Sequence, residues 1–313
     1  MEAYIYDCEG GKWRLPKLLS WDISHGFCSP CDSFELEFIY SREMLDILPK
    51  AVEMEAVHEG RTVFKGRVDE FEAKSGSNGA TVNLCGRGMQ ALLLDNEAES
   101  ADYYYPDLKF MLENHAKKLG ITRIDAEGTE GKTLRFSVES GVSHWKALSS
   151  FLEFCCGVRP RFAPDGTLVT DGEKGGGKYR VDGKTAVISQ SWGEDRYGVI
   201  SHALVKRRYT NVENTVVNRE FAALGGACRR VINVPKSTFY DAMRHEGEYQ
   251  IKKSMENYRL GRISVAECFP AFPGDRLEIA ASPLGLTGEF LVTATRCRGD
   301  GSGVFTEIEM RMI

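Results

Sequence analysis

Val68-Asp69-Glu70-Phe71-Glu72-Ala73-Lys74-Ser75-Gly76-Ser77-Asn78-Gly79-Ala80-Thr81-Val82-Asn83-Leu84-Cys85-Gly86-Arg87 reads as a strand, a tight turn and a returning strand. The turn sits at Asn78-Gly79, because these residues take up positive φ at little cost. Working outward, Thr62 to Val68 leads into the hairpin, Glu59-Gly60 makes a turn, and Val52 to Val57 alternates apolar and polar residues. Ser33 to Tyr40 is the clearest strand. Phe34, Leu36, Phe38 and Tyr40 alternate with Glu35 and Glu37, and a period of two means one buried face. A meander or small barrel follows for the first hundred residues.

The pattern changes after Ala98. Asp107 is placed to cap a helix whose stripe is Leu108, Met111, Leu112, Ala116 and Leu119, with Gly120 to stop it. Ser143 to Cys156 predicts a second helix, with Trp145, Leu148, Phe151, Leu152 and Cys155 inward and Gly157 at its end. Strands are expected at Thr133 to Glu139, Val158 to Phe162 and Thr167 to Val169, with Pro164-Asp165-Gly166 as a turn, which together make a small α+β domain. Gly175 to Gly177 reads as polar loop. From Tyr197 strand patterns return at His202 to Val205, Thr215 to Asn218 and Arg229 to Val234, interrupted by a helix over Ser237 to Tyr258 that Gly247 is placed to split. Pro273-Gly274-Asp275 punctuates the entry to Arg276-Leu277-Glu278-Ile279. The expected division is a β-barrel over 1–98, an α+β domain over 99–196, and a second β-barrel with one long helix over 197–313. The fold class is thus mainly β, with two similar tube-like domains flanking the insert. Gly66 through Gly79 to Arg87 corresponds to Gly288 through Gly303 to Arg311, a spacing that an ancestral duplication would produce.

A chain of 313 residues predicts two or three domains of about 100–200 residues each. At 42% hydrophobic and 27% charged residues it has the composition of an ordinary folded protein. No run reaches the roughly 18 apolar residues of a membrane span, and Met1 to Tyr6 lacks a secretory pattern, so a cytoplasmic product is expected. The net charge of −5 argues against a dedicated nucleic-acid binder, and Lys206-Arg207-Arg208 and Arg229-Arg230 read as solvated faces or subunit contacts. Nine cysteines, at 8, 28, 31, 85, 155, 156, 228, 268 and 297, are odd in number and lie mostly in apolar runs, as buried thiols in a reducing compartment would.

Motifs that would carry chemistry fail on context. Gly172-Glu173-Lys174-Gly175-Gly176-Gly177-Lys178 has phosphate-loop spacing, but Tyr179 occupies the hydroxyl position and a strand follows where a helix is needed. Gly131-Lys132-Thr133 likewise runs into the strand Leu134-Arg135-Phe136. Cys28-Ser29-Pro30-Cys31, with His25 and Cys8 as further ligands, would be half a zinc or redox site; no second pair completes it, and a turn is the preferred reading. The histidines at 25, 58, 115, 144, 202 and 245 show no ligand spacing, and His115 flanks the apolar stripe as a partly buried structural residue. No nucleophile elbow exists; Ser150 and Ser189 have no supporting context. Tyr103-Tyr104-Tyr105, just before a helix, suits a domain junction or an interface. No catalytic, cofactor-binding or metal residue is nominated, and no enzyme activity is expected.

With this order of domains in place, the chain resembles the baseplate hub family of contractile-tailed phages, with its Mu-like, PBSX-like and late-control D members. The resemblance is carried by Val68-Asp69-Glu70-Phe71 with Val82 to Ala98, by Val142 to Leu148 with Arg161 to Leu168, and by Phe272-Pro273-Gly274-Asp275-Arg276-Leu277. It implies a homotrimeric ring of paired barrels in a virion tail baseplate or phage-like particle assembled in the bacterial cytoplasm. Tail tube, central spike and LysM-type or other baseplate proteins are the implied partners, and DNA passes only transiently through the lumen. Two other classes compete: a tail-associated peptidoglycan hydrolase, since 45 acidic residues supply carboxylate pairs, and a receptor- or carbohydrate-binding β module.

Overall fold

A computed structural model of the chain describes residues 1–27, 31–77, 79–171, 176–236 and 240–313, the side chains of 241 and 242 excepted. The fold is mainly β with a large antiparallel sheet, and it separates into two compact units, Met1–Ser189 with Ile263–Glu309 and Gln190–Arg262 with Met310–Ile313.

In the first unit the strands follow one another in the order Lys12–Arg14, Glu2–Asp7, Ala51–His58, Arg61–Gly76, Gly79–Gly88, Ser33–Ile39, Leu18–Gly26 and Gly288–Asp300. Among the described residues this is an open path. Period-two alternation along Ser33–Ile39 sends Phe34, Leu36 and Phe38 into a core with Ile5, Met54, Phe64, Val82 and Leu84, all at most 2% exposed. The junction of early and late sequence is the antiparallel ladder from Ala294↔Gly26 to Gly299↔Trp21, reinforced by Arg296 on Asp22 at 2.8 Å. A parallel pair, Lys178–Val181 with Arg276–Ile279, adds to the same sheet.

The long hairpin has a tight crossing. A Cβ on Gly66 would lie 2.1 Å from the Arg87 carbonyl oxygen, and one on Gly86 would lie 2.0 Å from that of Arg67, so only glycine lets the two backbones approach. Just beyond, the register shifts between Val68 and Glu70, a bulge that leaves Asp69 out of the ladder. Arg87 takes hold of it: the guanidinium donates to Asp69 at 2.7 and 3.0 Å and to Asp95 at 2.8 and 2.7 Å. These hydrogen bonds hold the Asp95 carboxyl below its ordinary range.

From Asp95 the clamp leads into the insert. Ala98 N–H donates to Val142 O at 2.8 Å and His144 N–H to Asn96 O at 3.0 Å. The helix Leu108–His115 starts at Asp107, whose carboxylate accepts from Phe110 N–H at 2.7 Å, and a short 3₁₀ turn, Lys117–Leu119, ends at Gly120 with φ of 86°. Ser143 caps the helix His144–Cys156 in the same way, and Gly157 closes it at φ 67°. The two helices bury Met111, Leu148, Phe151 and Leu152 together with Met89, Leu93 and Leu168. Gly166, at φ 81° in the Pro164-Asp165-Gly166 turn, faces Met89 and Lys65, and the Arg161 guanidinium packs against Gly274. All three stretches that carry the family resemblance are thereby tied into one continuous set of contacts within this unit.

The second unit centres on His202–Arg207, antiparallel to Glu213–Val217 and parallel to Arg229–Val234. The helix Tyr240–Ser254 is not split at Gly247; a Cβ there would lie 2.6 Å from Val216, so the glycine brings helix and sheet into close contact. Phe221 and Tyr258 stack edge to face with ring centroids 5.5 Å apart, beside Val199.

Gly86→Ala is expected to destabilise the chain by roughly 1–3 kcal/mol, as overpacking does. Gly76→Ala, where no atom lies within 4 Å, is expected to stay within about 0.5 kcal/mol of the parent. Urea unfolding of the two variants checks this; equal effects would contradict the crossing.

Candidate functional site

The residues of the large sheet that point away from its core form an acidic face. Register places Asp22 opposite Glu35, Glu35 opposite Cys85 and Cys85 opposite Glu70; the next row runs Ser20, Glu37, Asn83, Glu72. Glu35, Glu70 and Glu72 are exposed, and Asn83 Nδ2 donates to Glu35 at 2.7 Å, fixing its carboxylate outward. Basic partners enter from one side, where Arg296 and Arg298 reach Asp22 and Arg298 reaches Glu307 at 3.2 Å. The Cys85 thiol shares this environment: partial burial, then the charges of Glu70, Glu35 and Asp69, push it up. Beyond the bulge, Glu70 to Gly76 pairs, among the described residues, on one side only, with Gly79–Gly88, and leaves an open edge that includes Phe71 at 40% exposure.

A second surface lies on the insert. The strand Ala101–Tyr104 pairs with Arg135–Val138, turning Tyr103, Phe136 and Val138 inward. Tyr104, Tyr105 and Leu134 turn outward at 69%, 65% and 73% exposure, and Tyr105 N–H donates to Leu134 O at 2.9 Å. Arg135, Ser137 and Asp102 rim this patch, with Arg135 on Asp102 at 3.0 Å. Exposed aromatic and aliphatic side chains ringed by hydrogen-bonded polar groups are the usual anatomy of a protein interface.

The second unit differs in charge. Residues 190–262 hold 13 Lys or Arg against 8 Asp or Glu, whereas the whole chain holds 40 against 45. The two basic runs meet there: His202 pairs with Arg229 and Ala203 with Arg230, so Lys206 and Arg229 share the sheet face opposite the helix. Lys206 reaches Glu213 at 3.4 Å.

The sequence motifs weighed for chemistry are dispersed. Residues 172–175 and Cys28 lie outside the described residues; Lys178 opens a strand. Cys31 is a half-buried thiol near Gly88 O and Gln90 Oε1, pushed up to about 12 first by burial and then by Asp32. His25 is buried, its Nε2 3.0 Å from Val63 O and its Nδ1 3.4 Å from Asp32, and Cys8 is exposed. Among the described residues no three His, Cys, Asp or Glu side chains converge as a metal site, and no helix is long and apolar enough to cross a membrane. Burial raises the Asp275 carboxyl, as a general acid would require, but its oxygens accept from Gly177 N–H at 2.6 Å and Phe272 N–H at 2.8 Å and so build the turn. Glu55 is drawn up by burial, yet hydrogen bonds from Tyr6, Lys12 and Thr62 outweigh this and hold it at about 2. His115 and His144 meet although no spacing pairs them: their Nδ1 atoms are 3.0 Å apart, with Tyr103 Oη 3.4 Å from His115 Nε2.

No protein-family profile matches the chain, and no curated protein matches it. Solved structures do. A tail protein from Neisseria meningitidis superposes with a TM-score of 0.76 at 17% identity, covering 99% of this chain and 96% of the other. The 43 kDa tail protein of prophage MuSo2 from Shewanella oneidensis gives 0.78 at 16% identity, covering 99% and 98%. An Escherichia coli component of the type VI secretion system, described as similar to the T4 tail proteins gp27 and gp5, gives 0.59 at 12% identity, covering 95% and 74%. The chain therefore has the fold of phage tail proteins, shared with a component of a type VI secretion system.

His115 is 1% exposed; burial first, and then His144 and Lys118, bring it down to about 4 from 6.5. In that interval the unfolded chain binds a proton that the folded chain refuses, so stability falls as pH drops from about 6.5 to about 4 and then levels, by up to about 3 kcal/mol. Urea unfolding across this range is expected to show the loss in the parent and a flatter profile in His115→Gln; parallel profiles would contradict the assignment.

Proposed function

We propose that the chain is the non-enzymatic structural baseplate hub of a contractile phage tail or phage-like injection particle. Three copies form a ring whose paired tube-like β modules receive the tail tube on one side and the central spike on the other. LysM-type or other baseplate proteins complete the partners. The division 1–98, 99–196 and 197–313, with two similar barrels around the α+β insert, belongs to this proposal, as does placement in the virion tail after assembly in the bacterial cytoplasm. The observation that carries the reading is the shared fold over 99% of the chain with two phage tail proteins.

The acidic face supplies a physical reason for the role. A lumen lined by Glu35, Glu70 and Glu72 repels phosphates, so DNA slides through without the counterion-release affinity that a basic lining would create. The patch of Tyr104, Tyr105 and Leu134 then faces a neighbouring protein, and the basic surplus of residues 190–262 gives acidic partners a place to dock. Exposure of Tyr104 and Tyr105 also favours a second reading, stacking on sugars by a receptor-binding module.

Gold-labelled antibody against the chain, applied to purified particles, is expected to mark the tube end next to the spike. Label along the tube or at fibre tips would overturn the hub. On the same protein, a peptidoglycan zymogram is expected to stay blank and the monomer to bind no glycan. A clearing band lost on one Asp or Glu substitution would establish the hydrolase instead.

A further inference from the structure

Two cysteines outside both surfaces are held side by side. Cys297 lies opposite Ile23 on the inward side of Gly288–Asp300, and Cys268 lies in the turn before Phe269; their Sγ atoms are 3.5 Å apart. The spacing is enforced rather than incidental. The Thr306 hydroxyl, 1% exposed, donates to Glu267 O at 2.7 Å and accepts from Phe269 N–H at 3.0 Å, which pins the backbone on either side of Cys268. Both thiols line a small recess with Ile23, His25, Thr295 and Thr306, whose free volume of about 10 Å³ admits about one water-sized molecule. Trp21, facing Gly299 two residues from Cys297, has a buried indole N–H without a protein hydrogen-bond partner.

We propose that Cys268 and Cys297 are an oxidisable dithiol that closes into an intramolecular disulfide when hydrogen peroxide reaches the Cys297 sulfur. The Cys297 thiolate attacks one peroxide oxygen; the O–O bond breaks, and the departing hydroxide takes up a proton to leave as water. The Cys268 sulfur then attacks the resulting sulfenic acid, the S–O bond breaks, and the hydroxyl leaves as a second water with the Cys268 proton. Two thiols and one hydrogen peroxide thus give one disulfide and two waters, with two electrons passing from sulfur to oxygen. Cys297 is the attacking group because the sulfur-to-sulfur contact with Cys268 draws its pKa down against the opposing effect of burial. Cys268 shifts upward, since the same hydrogen bond and its burial favour its protonated form. Closure needs the sulfurs to move from 3.5 Å to the roughly 2.05 Å of a disulfide, a step of side-chain size. The bond would staple the turn at Cys268 to the strand that joins early and late sequence, so the same chain is supple when reduced and braced when oxidised.

The test uses the reduced full-length chain, exposed to hydrogen peroxide, alkylated and digested without reductant for mass spectrometry. The expected product is one dominant linked pair of peptides bearing Cys268 and Cys297, lighter by two hydrogens, with Cys155 and Cys156 recovered alkylated. Its rate of formation should decline as pH is lowered, because the attacking thiolate is lost. Cys297→Ser should abolish the link and leave Cys268 alkylated. Recovery of Cys297 unlinked as sulfinic acid, or links spread among Cys8, Cys31 and Cys85, would overturn the proposal. The parent digest alone decides this, even where the variant fails to fold.

Discussion

Arg87 between Asp69 and Asp95 is the contact on which the rest of the first unit turns. The glycines at 66 and 86 let two backbones cross, the bulge releases Asp69 from its ladder, and the guanidinium fork then fixes both the outgoing strand and the exit toward the insert. Its energetic worth is modest, because partly exposed ion pairs contribute on the order of 0.2–1 kcal/mol each. Cohesion comes instead from the buried Phe, Leu and Met side chains of the two cores. What the clamp adds is continuity: it ties the bulge at Asp69 to Asp95, just before Asn96 and Ala98 bond to His144 and Val142.

That division of labour suits a structural role. Stable packing is supplied by apolar alternation, which any sheet provides, whereas the short polar motifs fix how modules join. The outward faces are left free to carry charge: acidic along Glu35, Glu70 and Glu72, basic in residues 190–262. The carboxylates with resolved shifts are mostly drawn down by cationic or hydroxyl partners, as ion pairs and hydrogen bonds to the charged form do.

Local features were legible in the sequence because local physics decides them. The Ser33–Ile39 alternation, the cap at Asp107 and the stops at Gly120 and Gly157 all stand where the residues placed them, while Ser143, read as the first residue of its helix, caps it instead. Long-range features were not. The Leu18–Gly26 ladder with Gly288–Asp300 joins segments about 270 residues apart, and the parallel match of Lys178–Val181 with Arg276–Ile279 has no periodic signal of its own. Gly247 shows how propensity misleads: it reads as a break, yet its missing Cβ is what lets the helix approach Val216. The strand Val187–Glu194 went unread because its residues are mostly exposed and show no alternation. Of the candidate surfaces, Tyr103 to Tyr105 and the basic runs at 206–208 and 229–230 were visible beforehand; the acidic face needs the register of four strands to bring its carboxylates together.

The proposed role requires this polypeptide to assemble into a ring rather than act as a solitary binding or catalytic module. Light scattering on the purified full-length chain measures it most directly. The account predicts a species of about three times 34.9 kDa, and a stable monomer across the concentration range in which tails assemble would contradict it.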